Sequence, residues 1–265
     1  MIRATPCSQV IRPQTEGRIN MNGNITTRRI IGSSPRLKAR IAGVLYLIVI
    51  SGGIFAEIFV RGRLIVPGDP AATVHNIMVH ELLYRLGFAV EIFYCACNVP
   101  LTLIFYELFK VVNVGFARMV VFFALVGTAI ESTSLLLHFA PLIFLSGGPS
   151  FIAMNADQLQ VLAYASLQVF ERGFAVGLVF FGFYCLSLGY LIFRSTFFPR
   201  VIGVLLAIQG LCYLINSFAT SLVPEFAAKF FSYLEISAIA EVSLCLWLLI
   251  IGVNVQRWME QATMV

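Results

Sequence analysis

Apolar residues come along this chain in long unbroken runs, with none of the short amphipathic periods of a soluble fold. Six runs stand out, at 41–60, 86–109, 119–139, 174–193, 201–222 and 231–251. A helix rising about 1.5 Å per residue needs about 20 mostly apolar residues to cross roughly 30 Å of hydrocarbon. Lipid offers no hydrogen bonds, so such runs are read as helices whose backbone bonds are satisfied internally. The pattern predicts an all-α integral membrane protein, a bundle of six transmembrane helices. Residues 1–38 carry no apolar period and read as a basic, disordered tail. Residues 39–252 form the transmembrane domain, and 253–265 a second short tail.

Composition sharpens that picture. The 265 residues are 59% hydrophobic and 12% charged, where a soluble domain carries about 25% charged residues. Mean hydropathy is +0.90. These values exclude a soluble globule, a disordered chain and a disulfide-stapled secreted domain. Of six cysteines, all but Cys7 fall inside predicted helices, where the thiol behaves as a small apolar group.

Charge sets an expected orientation. Eight of the 18 basic residues, Arg3, Arg12, Arg18, Arg28, Arg29, Arg36, Lys38 and Arg40, precede the first run, opposed only by Glu16. With this tail inside, Lys110, Arg118, Arg194, Arg200 and Arg257 also lie inside. Arg61, Arg63, Arg85 and Lys229 are left outside. Lys and Arg accumulate in cytoplasmic loops, so both termini are expected on the cytoplasmic side of the cell membrane. The basic tail has no aromatic interleaving and no nucleic-acid-binding motif; it reads as a topology signal or anionic-lipid contact. Met21 is a second possible start.

Polar positions inside the runs carry what chemistry the sequence offers. An ionised side chain in a span costs about 2.5–3.5 kcal/mol on insertion scales, so each needs a reason. Residues three, four and seven apart share a helix face. Glu91 aligns with Cys95 and Asn98; Thr128, Glu131, Ser134 and His138 form a second stripe. Gln209, Tyr213, Asn216 and Thr220 form a third, and Ser237, Glu241 and Cys245 a fourth. Arg172 sits beside Glu171 at the outer mouth of the fourth run. The expectation is one outward-facing polar cavity lined by Glu91, Asn98, Glu131, His138, Arg172, Gln209, Asn216 and Glu241. An apolar inner layer closes it. Acids outnumber bases there, which points to a small cationic or protonatable ligand. The competing reading is that the stripes only bond helices to one another, with Arg172 or Arg85 neutralising Glu91 or Glu131.

Enzyme signatures are sparse. His80-Glu81-Leu82-Leu83-Tyr84 starts like the zinc-protease pattern but lacks its second histidine. No nucleophile elbow, phosphate loop or dinucleotide fingerprint occurs, and no cofactor is indicated. Gly173-x-x-x-Gly177 fits close helix packing. Pro100 should kink the second run, and Val66-Pro67-Gly68-Asp69-Pro70 reads as a rigid turn.

Four stretches carry a family resemblance: Ala39-Arg40-Ile41-Ala42-Gly43-Val44-Leu45-Tyr46-Leu47-Ile48, Glu57 to Asp69 with its Val60-Arg61-Gly62-Arg63 core, Gly177-Leu178-Val179-Phe180-Phe181-Gly182, and Phe198-Pro199-Arg200-Val201-Ile202-Gly203-Val204-Leu205. Together they resemble the bacterial multi-pass membrane family known as domain of unknown function 4386. The resemblance implies several spans and no agreed activity, substrate or catalytic residue. Arg40 to Leu45 also echoes Arg200 to Leu205, and Glu91 to Cys95 echoes Glu241 to Cys245, as if the first hairpin were repeated as the last. The functional expectation is a small transporter or solute-binding protein, with homo-oligomerisation open. The alternatives are an assembly or sensor component and a membrane-embedded enzyme.

Overall fold

The computed structural model describes residues 34–146, 153–223 and 239–263. The tail up to residue 33, and Glu235 and Ser237 in the sixth run, lie outside the described residues.

Among the described residues all regular structure is helical. Helix α1 spans Pro35–Leu64, α2 Pro70–Val79, α3 Glu81–Phe109, α4 Val114–Leu145, α5 Ala156–Arg194 and α6 Arg200–Leu222. Helix α7 covers Ile239–Ile250 and α8 Val255–Ala262. Five of these, α1 and α3 to α6, are long and apolar enough to cross a membrane, and α7 with α8 makes a bent sixth candidate. The chain is therefore a multi-pass membrane protein.

Capping explains where the helices begin. Ser34 Oγ accepts from Leu37 N with Pro35 in the first turn. Asp69 accepts from Ala72 N ahead of Pro70. Asn155 and Gln158 form a reciprocal capping box at the start of α5. Each satisfies N–H groups that a helix start leaves open. Three expectations change as a result. The rigid turn after the first run also nucleates α2, because Asp69-Pro70 is a strong helix start. The fourth run begins at Ala156, not near 174, because polar residues such as Gln158 and Gln160 extend a helix without adding hydropathy. The first helix likewise begins inside the expected tail, at Pro35.

The helices pack in chain order: α1 on α3, α3 on α4, α4 on α5, α5 on α6, α6 on α7, and α7 back on α1. This closes a ring, with α2 lying on α5. Small residues let backbones approach. An ideal Cβ on Gly203 would sit 2.6 Å from Gly189 O, and one on Gly210 would sit 2.7 Å from Gly182 O. The two glycine pairs therefore zip α5 against α6. Gly173 faces Ser134, and Gly177 faces Gly127 O. Outward faces carry Val44, Leu47, Ile92, Phe122, Leu136, Val176, Ile208 and Phe218, all exposed apolar side chains suited to lipid.

The end of the ring where α1 begins is apolar inside. Phe105, Leu108 and Phe109 pack with Leu188, Leu191, Ile192, Phe197 and Phe198. Only its rim is charged, with Lys38 and Lys110 on Glu107 at 3.4 and 2.9 Å. Gly252, at φ +72°, turns the chain so that α8 lies 103° from α7. Trp258 Nε1 then donates to Leu108 O at 2.9 Å, docking α8 across the end of α3.

Candidate functional site

The buried ionisable groups of the α1, α3 and α4 spans lie toward the opposite end, beginning with an irregularity in α1. From Phe55 to Arg61 the helix widens into a π-helical stretch, and Gly62 N donates to Glu57 O, five residues back. A Cβ on Gly62 would lie 3.2 Å from that oxygen, so glycine leaves room for the wide turn. Such turns re-aim side chains and are frequent at functional sites. Here the turn points Arg61 inward. Its Nη2 and Nε donate to Glu57 Oε2 at 2.6 and 2.9 Å. Its Nη1 donates to Glu91 Oε1, and its Cζ lies 5.3 Å from the centre of the Phe170 ring.

Glu91 is fully buried and so is His138. His138 Nδ1 lies 2.6 Å from Glu91 Oε2. Because that carboxylate already accepts from Arg61, Nδ1–H is the donor in this contact. The ring stands edge-on to Tyr84 at 4.8 Å and against Phe170 at 5.0 Å. The Tyr84 hydroxyl donates to His138 O, and His138 Nε2 has no partner.

Below this pair the seam between α3 and α4 continues as a polar zipper. Tyr94 donates to Glu131 Oε1 at 2.6 Å. Asn98 Nδ2 donates to Thr128 Oγ1 at 2.7 Å. The positions ascend on α3 as they descend on α4, as antiparallel helices require. Glu131 is 6% exposed and, among the described residues, has no cation within ion-pair distance.

Across the ring, α6 and α7 hold a second cluster. Gln209 Nε2 donates to Glu241 Oε1 at 2.6 Å and to Tyr213 Oη at 2.7 Å, and Tyr213 donates to Glu241 Oε1 at 3.2 Å. Asn216 lies a turn or two further along α6, buried, with Oδ1 unpartnered.

The eight expected site residues thus divide. Glu91, Asn98, Glu131 and His138 come together between α3 and α4. Gln209 and Glu241 come together between α6 and α7, with Asn216 beyond them. Arg172 joins neither group: its Nη1 donates to Thr220 O at 2.6 Å, tying α5 to α6. Arg85 pairs with Glu81 on its own helix. The cation on Glu91 is instead Arg61, which sequence reasoning had placed in a loop. Its signal was present in Glu57 four residues earlier and in the Val-Arg-Gly-Arg motif.

A family model described as Domain of unknown function (DUF4386) matches residues 41–252. The chain belongs to the DUF4386 family. In this DUF4386 protein the matched stretch contains Arg61, both polar clusters and the ring of helices from Ile41 in α1 to the end of α7. No curated protein and no solved structure matches the chain.

Proposed function

We propose that this protein is a small transporter or solute-binding protein of the bacterial cell membrane, in which Glu131 receives a proton or a small cationic ligand. One observation carries the reading. Glu131 is buried among spans, bonded by the neutral side chains of Tyr94 and Cys95 and, among the described residues, within ion-pair distance of no cation, while Glu91, further along the same seam, is neutralised by Arg61. A carboxylate in a span marks a functional position unless it has a partner, and Glu131 has the chemistry of an acceptor awaiting one. On this reading both termini face the cytoplasm, which is supported by Arg36, Lys38, Arg40, Lys110, Arg118, Arg194, Arg200 and Arg257 flanking helix ends on the side where α1 begins. The site then faces outward, and the Phe109–Phe197–Phe198 layer closes the inner side.

The test uses full-length protein in liposomes loaded with a pH-sensitive dye, with an imposed pH gradient and methylammonium as the probe cation. The wild type should show dye responses or methylammonium-dependent thermal shifts that Glu131→Gln abolishes while still folding. Equal responses in both proteins overturn the reading. A second reading, that the seam only holds helices together in an assembly or sensor component, is favoured by the complete bonding of Glu91. It predicts reduced folded yield in Glu131→Gln and unchanged flux.

A further inference from the structure

Among the described residues, the cluster between α6 and α7 has more oxygen acceptors than its donors fill. There both hydrogen bonds to Glu241 fall on Oε1, one from Gln209 and one from Tyr213. Gln209 is fully buried, and its amide oxygen has no partner. Tyr46 on α1 is 3% exposed with an unpartnered hydroxyl, and it lies within electrostatic range of Glu241. Buried polar atoms without partners are rare and call for an explanation.

We infer that Glu241, Gln209 and Tyr46 form a binding site for a small monovalent alkali cation. Hard cations take carboxylate, carbonyl and hydroxyl oxygens as ligands, and those are the three groups present. Charge fixes the valence. Among the described residues, the groups shown to interact electrostatically with Glu241 are Tyr46, Tyr184, Tyr213 and Cys185, all without formal charge, so the one carboxylate they surround balances one positive charge. A divalent ion would leave an unpaired charge buried. Turning over the Gln209 amide brings its free oxygen to the ion in exchange for the hydrogen bond that its nitrogen gives Glu241. This site stands apart from Glu131 and does not depend on the reading given for it.

The test is thermal unfolding of full-length protein in detergent, titrated with sodium, potassium or choline chloride at constant ionic strength. Sodium or potassium should raise Tm saturably and choline should not. Glu241→Gln should remove the rise, and Tyr46→Phe should weaken half-saturation about three- to tenfold, as loss of one ligand requires. Identical curves in all three salts overturn the inference, as does a cation-dependent rise that survives in Glu241→Gln. If Glu241→Gln does not fold, an unchanged half-saturation in Tyr46→Phe overturns it.

Discussion

Two glutamates echo one another in sequence, Glu91 on α3 and Glu241 on α7, yet their surroundings differ in kind. Glu91 is enclosed by Arg61 and His138, and no oxygen is left over. Among the described residues Glu241 meets an amide and a phenol, both on one oxygen. The first arrangement is an internal ion pair whose acid is fully buried, strongly held because breaking it strands a charge. The second is an acid that no described residue neutralises. A buried carboxylate is therefore structural or receptive according to whether the chain itself supplies the cation.

The sharpest way to break the contrast is Arg61→Met. It leaves Glu91 buried without its cation, and losing one partner of such a pair costs about 3–5 kcal/mol. Unfolding in mixed micelles should show that loss. Next comes Tyr94→Phe, which strips Glu131 of its hydrogen bond from the phenol and should cost about 1–3 kcal/mol by the same assay. Asn98→Leu tests the far end of the zipper, where interhelical hydrogen bonds average about 0.6 kcal/mol and reach roughly 1.7. The smallest effect belongs to Glu57→Gln. Its side chain is 52% exposed, and exposed pairs four residues apart contribute about 0.3–0.5 kcal/mol. A Glu57 effect as large as that of Arg61 would mean that Arg61 serves Glu57 and not Glu91.

Much of this was legible in the residues, for physical reasons that can be named. Hydropathy locates spans because lipid selects apolar runs, and α6, at Arg200–Leu222, matches the expected 201–222 closely. Spacing by three, four and seven located the α3 and α4 stripes, and the structure sets Glu91 against His138 and Asn98 against Thr128. Arg61 was hidden because the apolar run stops at Val60 and because the π-helical turn changes the phase on which face-counting relies. The start of α5 was hidden because a capped polar helix leaves no trace in hydropathy. The division into two clusters was hidden as well. Stripes give faces, while only the ring order puts the α3–α4 seam across from the α6–α7 seam. The echo between Gly43 and Gly203 does carry into space. Gly43 packs on Leu249 of α7, and Gly203 on Gly189 of α5, each on the helix that precedes it around the ring.

The central claim, that the chain neutralises Glu91 and leaves Glu241 open, is tested most directly by comparing Glu91→Gln and Glu241→Gln side by side. The measurement is the Tm of each in detergent without added alkali cation. Glu91→Gln should be strongly destabilised, because Arg61 loses its buried partner. Glu241→Gln should stay near the wild type, because Gln209 and Tyr213 can bond an amide oxygen as they bond the carboxylate. A large loss in Glu241→Gln with little change in Glu91→Gln would contradict the account.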